Sequence, residues 1–173
     1  MTDLVLRPAT EADVPAITAI YNDVIRTSDA IWLHEEVTEA DRLTWLRSLR
    51  EDDACLVAVA PDATVAGYVG CFAFRAKTGY WPTVEITIMV ADGWRGTGAG
   101  SLLLEAIVDH AGAVGRRVVV AGVDGGNEGS RRFHERHGFR EVARMPGVGR
   151  KRGLPVDLVL LQRDLPGPDR RST

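Results

Sequence analysis

The reading of the fold turns on residues 83–101, Thr83-Val84-Glu85-Ile86-Thr87-Ile88-Met89-Val90-Ala91-Asp92-Gly93-Trp94-Arg95-Gly96-Thr97-Gly98-Ala99-Gly100-Ser101. Val84 to Val90 is rich in β-branched residues and predicts a strand. A glycine-rich turn follows, and then a helix over about 99–114 whose apolar stripe is Leu103, Ala106, Ile107, Ala111 and Val114. Glycines let a backbone approach an anion closely, and the first N–H groups of a helix carry positive charge. The segment is therefore either a phosphate site or a plain strand–helix connection. Its glycines, at 96, 98 and 100, miss the dinucleotide fingerprint G-x-G-x-x-G, and no acidic partner follows about 20 residues on. Ser101 has no lysine before it, so the segment is not a P-loop either.

Outward from this stretch the pattern stays regular. Upstream, Leu4 to Pro8 reads as a short strand ended by proline. Thr10, with Asp13 three residues on, caps a helix over 11–26 that carries Val14, Ile17, Ile20, Tyr21, Val24 and Ile25. Thr38 caps a second helix to about residue 50, carrying Leu43, Leu46 and Leu49. Ala54–Ala60 and Val65–Phe74 read as a hairpin about Pro61-Asp62-Ala63. Downstream, Val118–Val123 is apolar throughout, as in a strand buried on both faces. Asn127 to His137 is a short helix stopped at Gly138, and Phe139–Arg144 and Val156–Gln162 are the last strands. The order is β α α β β β α β α β β. It implies one α/β domain over residues 1–165, with a mixed, mostly antiparallel central sheet flanked by helices, and a disordered tail at 166–173.

Composition narrows the function. The 173 residues suit a single domain, and 24 acidic against 21 basic residues leave a net charge of −3. That balance argues against a non-specific nucleic-acid binder, and the basic patch Arg144–Arg152 holds no aromatic residue on which a base could stack. Cys55 and Cys71 are too few for a disulfide framework and lie in apolar runs, as small core residues do. No pair of His or Cys residues has metal-ligand spacing, so no metal is expected. No apolar run is long enough to cross a membrane and no secretory signal opens the chain, so a cytoplasmic location is expected.

Arg95-x-x-Gly98-x-Gly100 before an amphipathic helix, then a strand, then Asn127-x-x-Ser130 and His137-Gly138-Phe139, together resemble the GNAT superfamily of acetyl-CoA-dependent N-acetyltransferases over essentially residues 3–165. Ile20-Tyr21-Asn22-Asp23, Ala30-Ile31-Trp32, Thr83-Val84-Glu85, Ser130-x-x-x-His134 and Val156-Asp157-Leu158 are similar to one branch, the phosphinothricin and methionine sulfone or sulfoximine acetyltransferases.

The resemblance implies acetyl-CoA as co-substrate, with its pyrophosphate on the amides of Arg95, Gly96, Thr97, Gly98, Ala99, Gly100 and Ser101. It implies pantetheine beside Ile88, Met89 and Val90, with Asn127 and Ser130 completing the site. It makes Glu85 the group that contacts or deprotonates the substrate amine, although by spacing alone Glu85 reads as a solvated strand residue. His134 stands where most of the superfamily has a tyrosine that protonates the leaving thiolate; a helix-surface histidine is the plain alternative. Arg75, Ala76 and Lys77 lie in the loop that holds the substrate's carboxylate and side chain, and a guanidinium suits that task. The acceptor implied is a small glutamate-analogue amino acid, and the assembly implied is a homodimer. The branch usually shows Phe and Trp where this chain has Arg152 and Pro155. An acetyltransferase acting on protein N-termini and a non-catalytic acyl-CoA sensor are the competing readings.

Overall fold

A computed structural model describes residues 3–167. The elements are β1 (Val5–Pro8), α1 (Val14–Thr27), α2 (Glu39–Arg47), β2 (Ala54–Val59), β3 (Val65–Ala73), β4 (Thr83–Val90), α3 (Ala99–Ala113), β5 (Val118–Asp124), α4 (Glu128–Arg136), β6 (Arg140–Lys151) and β7 (Leu154–Asp164). Their order is the expected one. A single seven-stranded sheet runs β1-β2-β3-β4-β5-β7-β6, and every neighbouring pair is antiparallel except β4–β5.

Strand alternation sorts the core into two layers. Val84 and Ile86 of β4 and Val119, Ala121 and Val123 of β5 face α3, where Leu103, Leu104, Ile107 and Ala111 are fully buried. Ile17 and Ile20 of α1 cover the other face over Val57 and Tyr68. Cys55 and Cys71 are buried, and burial pushes both thiols up to about 12. Asp13 accepts from the Thr10 N–H at 2.8 Å and takes a bidentate Arg7 pair at 2.7 Å, which holds its carboxyl down at about 2.

Two helix boundaries differ from the sequence reading. The first helix opens with a 3-10 turn at Glu11–Asp13 before α1 starts at Val14 with Pro15 in its first turn. α2 stops at Arg47, short of residue 50, because Asp53 takes the Arg50 N–H at 3.0 Å and turns the chain. Trp45, set edge-on to Tyr68, joins Leu46 and Leu49 in packing against the core.

The largest difference is at 145–155. The sequence reading ends one strand at Arg144 and starts the next at Val156, yet β6 and β7 form one long hairpin through Lys151↔Leu154. β6 is an edge strand, so Pro146 removes no ladder bond, and an irregularity between Met145 and Gly149 absorbs the bend. Pro155 lies beyond the last β5–β7 pair, Asp124↔Leu158, so its missing N–H costs nothing on that side. The tail expectation falls mostly on residues 168–173, outside the described residues; Leu165 just before it is held by the Arg117 carbonyl at 2.9 Å.

Candidate active site

The site begins with the one parallel pair. β4 and β5 are in register from Thr83↔Val118 to Ile86↔Ala121 and no further. Beyond that point β4 stays with β3 through Val90 and β5 stays with β7 through Asp124, so the sheet splits into a V. The split leaves the facing backbone groups of Thr87–Val90 and Gly122–Asp124 without a strand between them. It lies at the carboxyl ends of two parallel strands, where open α/β sheets bind ligands. A cleft of about 1150 Å³ runs through it. Ile88, Met89, Val90, Arg95, Gly96, Gly98, Gly100, Ser101, Asn127, Ser130 and His134 all line that cleft, so the structure brings together most of the residues singled out for the co-substrate.

The glycine turn has the shape an anion site needs. Gly98 is the residue before α3, with φ +97°, and a Cβ built there would meet nothing within 4 Å. The left-handed angle calls for glycine. The open space above it, at the N-terminus of a 15-residue helix, leaves room for a phosphate. Gly100 serves differently: a Cβ there would lie 3.4 Å from the Phe133 ring, so its glycine lets α4 pack closely. Thr97 and Ala99 do not line the cleft. Thr97 donates its hydroxyl to the Trp94 carbonyl at 2.8 Å, and Ala99 is fully buried in the core.

Side chains around the turn are already engaged. The Ser101 hydroxyl is 3.0 Å from His137 Nε2, and His137 Nδ1 is 2.8 Å from Glu105 Oε1, which fixes α4 to α3. His137 is structural, as its place before Gly138 implied. Asn127 Oδ1 caps α4 by accepting the Ser130 N–H at 3.0 Å.

His134 is not a surface histidine: it is 3% exposed. Its ring sits edge-on to Phe133 and Phe139, and burial lowers its pKa. Nδ1–H donates to the Ser130 carbonyl at 2.8 Å, which leaves Nε2 as the acceptor nitrogen, with no partner among the described residues. The ring therefore rests neutral and has to take a proton at Nε2 before it can give one.

Glu85 and Thr87 share a face with Met89, and that face looks toward α1. Glu85 is half-buried, and a Cβ on Gly122 would come within 3.4 Å of its Oε1, so Gly122 leaves it room at the root of the V. Burial raises the Glu85 pKa, and the Arg75 guanidinium partly offsets that. A carboxyl so placed is more basic than a solvated one. Arg75 is exposed and stacks 3.9 Å over the Phe74 ring, while Ala76 and Lys77 stand in the open part of the loop. The loop is pinned from behind by buried Arg116, which donates to the Trp81 carbonyl and to Asp52 at 3.2 Å. Glu85, Arg75, Ala76 and Lys77 do not line the main cleft and sit beside its closed end.

The α1 side of the cleft includes residues the sequence reading did not assign to the site, although Tyr21, Ala30 and Ile31 stand in stretches that carry the branch resemblance: Tyr21 and Val24 of α1, and Ser28 to Ile31 of the loop after it. Lys151, behind that loop, was also missed. The signal was its rarity, since Lys77 and Lys151 are the only lysines in the chain. Among the described residues no group of three His, Cys, Asp or Glu is placed to hold a metal ion, and no helix is long and apolar enough to cross a membrane.

With this geometry in place, known proteins give the family. The family described as Acetyltransferase (GNAT) domain matches residues 3–140. The L-methionine sulfoximine/L-methionine sulfone acetyltransferase of Pseudomonas paraeruginosa is 38% identical over 161 residues, covering 92% of this chain and 94% of that protein. The ribosomal-protein-alanine N-acetyltransferase structure from Brucella melitensis has a TM-score of 0.90 at 36% identity, covering 94% of this chain and 100% of that one. A GNAT superfamily phosphinothricin acetyltransferase from Sinorhizobium meliloti, solved in complex with AcCoA, has a TM-score of 0.90 at 29% identity, covering 99% of this chain and 95% of that one. The split between β4 and β5, the glycine turn at the start of α3 and these likenesses lead to one statement: the chain belongs to the GNAT acetyltransferase family and is an N-acetyltransferase.

Proposed function

We propose that the protein transfers the acetyl group of acetyl-CoA to the α-amine of a small amino acid of the glutamate-analogue class, such as methionine sulfoximine, methionine sulfone or phosphinothricin. The observation that carries the reading is the placement of Glu85. It is a half-buried carboxyl with a raised pKa at the root of the V, beside an arginine on a short loop. An α-amino acid needs such a pair, one group for its ammonium and one for its carboxylate.

The reading gives each group a role. The backbone amides around Gly98 at the start of α3 hold the pyrophosphate. The unpaired edge of Ile88–Val90 holds pantetheine as an added strand would be held, with Asn127 and Ser130 beside it. Glu85 accepts a proton from the ammonium, directly or through water, so that the nitrogen lone pair can attack the thioester carbonyl. Arg75, with Ala76 and Lys77 beside it, binds the carboxylate and side-chain oxygens. When the C–S bond of the tetrahedral intermediate breaks, the developing thiolate charge opposes the effect of burial on His134, whose Nε2 takes a proton from solvent water and passes it to the departing sulfur. A homodimer, on resemblance alone, and the cytoplasmic location expected from the sequence belong to the same reading.

The test is release of free thiol from acetyl-CoA with purified protein and a panel of methionine sulfone, phosphinothricin, an aminoglycoside and an alanine-initiated peptide. The amino acids are expected to give saturable turnover well above the others. Turnover with the peptide alone would move the assignment to protein N-termini, the activity named for the Brucella neighbour. Turnover with none of them would favour the non-catalytic sensor.

A further inference from the structure

The acceptor wall of the cleft is made by a loop with little regular structure of its own. Residues 28–38 join α1 to α2, and Ser28, Asp29, Ala30 and Ile31 line the cleft. Ile31 is buried against Val24, Ile25, Tyr21 and Met89, so its position fixes how far the wall stands from the β4 face that carries Glu85. The rest of the loop is held by the tip of the β6–β7 hairpin, more than a hundred residues away in sequence.

Three contacts make that grip. Lys151, 4% exposed, donates from Nζ to the Ile25 carbonyl at 3.1 Å and to the Leu33 carbonyl at 2.6 Å, tying the last turn of α1 to the middle of the loop. Arg152 donates to the Arg26 carbonyl at 2.9 Å and lies 3.4 Å from Asp29 Oδ1. Gly149 lies against the Trp32 ring so closely that any Cβ would overlap it. The tip turns through Arg152 at φ +49° and Gly153 at φ +79°, the two left-handed residues of a tight hairpin. Arginine at a left-handed angle is disfavoured where asparagine, aspartate or glycine would be relaxed. Burial of an ammonium is likewise costly unless its donors are satisfied. Both unfavourable features sit at the point where the hairpin meets the cleft wall.

We propose that Lys151 and Arg152 are positioning residues that select the acceptor: by clamping the 28–38 loop they set the width of the cleft on its α1 side, and so restrict it to amino acids with compact side chains. Neither residue lines the cleft. They act through Asp29, Ala30 and Ile31, which do. The inference rests on the amino-acid acceptor reading above. It also gives Arg152 a function at a position where the resembling branch usually has an aromatic residue.

The experiment compares wild type with Lys151→Met, which keeps the apolar stem and removes the donors, and with Arg152→Ala, which removes an exposed side chain and leaves the core untouched. Initial rates are measured on methionine sulfone and on tryptophan as acceptor, with acetyl-CoA affinity by calorimetry and hydrogen exchange over residues 28–38 on the same samples. Each variant is expected to raise KM for methionine sulfone about fivefold or more, with kcat changed less. The kcat/KM ratio of methionine sulfone to tryptophan should fall by about fivefold or more, and the loop should exchange faster. Acetyl-CoA affinity should stay within about threefold, because the glycine turn is untouched. An unchanged acceptor ratio in a folded variant, with faster loop exchange, would make the clamp purely structural and overturn the proposal. If Lys151→Met does not fold, Arg152→Ala decides the question alone. Wild type that acetylates no amino acid would defeat the acceptor reading instead, a different result from wild-type turnover with an unaltered ratio.

Discussion

At the scale of single residues the chemistry depends on two groups moved off their ordinary pKa values by burial. Glu85 is raised, so it binds a proton more readily than a solvated carboxyl does; His134 is lowered, so it rests neutral. In the proposed mechanism, proton flow runs from ammonium to Glu85 on one side of the V and through His134 to sulfur on the other. Glu85→Gln keeps the shape and removes both charge and basicity. With an α-amino acid, its kcat/KM is expected to be about tenfold or more below wild type at pH 7. The sign of the pH dependence follows from the groups. Wild-type kcat/KM rises as pH passes the raised Glu85 pKa and then stays level, because Glu85 takes the proton of the bound ammonium. The variant lacks that rise and gains only as pH approaches the amine pKa of about 8, where substrate arrives already neutral. The gap between the two therefore narrows as pH increases and more substrate is already neutral. Rate–pH profiles of both proteins check this, and a constant gap would remove the base role.

Glu85 shows how far a sequence reaches. Alternation placed 85, 87 and 89 on one face, and the structure agrees. The half-burial of Glu85 comes from β3 and β5 on either side of it and from Gly122 close to its Oε1, which meet it only after the chain has folded, so spacing alone left it looking solvated. For His134 a surface position stayed open as the alternative for the same reason. Nothing local on a nine-residue helix encloses it, and the packing of Phe133 and Phe139 does.

At the scale of elements the decisive unit is β4–turn–α3, and it was legible because strand, glycines and helix each follow from local chemistry. Gly98 gives the sharper experiment of the two glycines, since its left-handed angle and open surroundings belong to the ligand side while Gly100 packs against Phe133. Gly98→Val is expected to weaken acetyl-CoA binding by about tenfold or more, about 1.4 kcal/mol, in calorimetric titration of the folded variant. Unchanged affinity would take the turn out of the site. The β6–β7 hairpin was the element least legible. Its prolines and glycines signal breaks locally, and they are tolerated only because β6 is an edge and β7 has outrun β5 by Pro155. A one-dimensional reading cannot tell an edge strand from a loop when the edge carries proline.

At the scale of the molecule, function comes from a failure of pairing. Of the six neighbouring strand pairs, β4 and β5 part after four residue pairs, and the gap becomes the candidate site. In the proposed reading α3 supplies the anion end and α1 and its loop the acceptor wall, against which the hairpin tip is hydrogen-bonded. The family could be read from the sequence because the turn and the Asn127–Phe139 segment are local; the acceptor wall could not, because it joins residues 28–38 to 149–152 through contacts no spacing reveals.

The central claim is that this cleft presents an α-amine, and no other nitrogen, to the acetyl donor beside Glu85. Methionine sulfoximine carries two candidate nitrogens, the α-amine and the sulfoximine nitrogen, so the most direct measurement is an NMR determination of which one bears the acetyl group after incubation with acetyl-CoA and enzyme. The expected product is acetylated on the α-nitrogen alone; acetyl on the sulfoximine nitrogen, or no acetylated product, would contradict it.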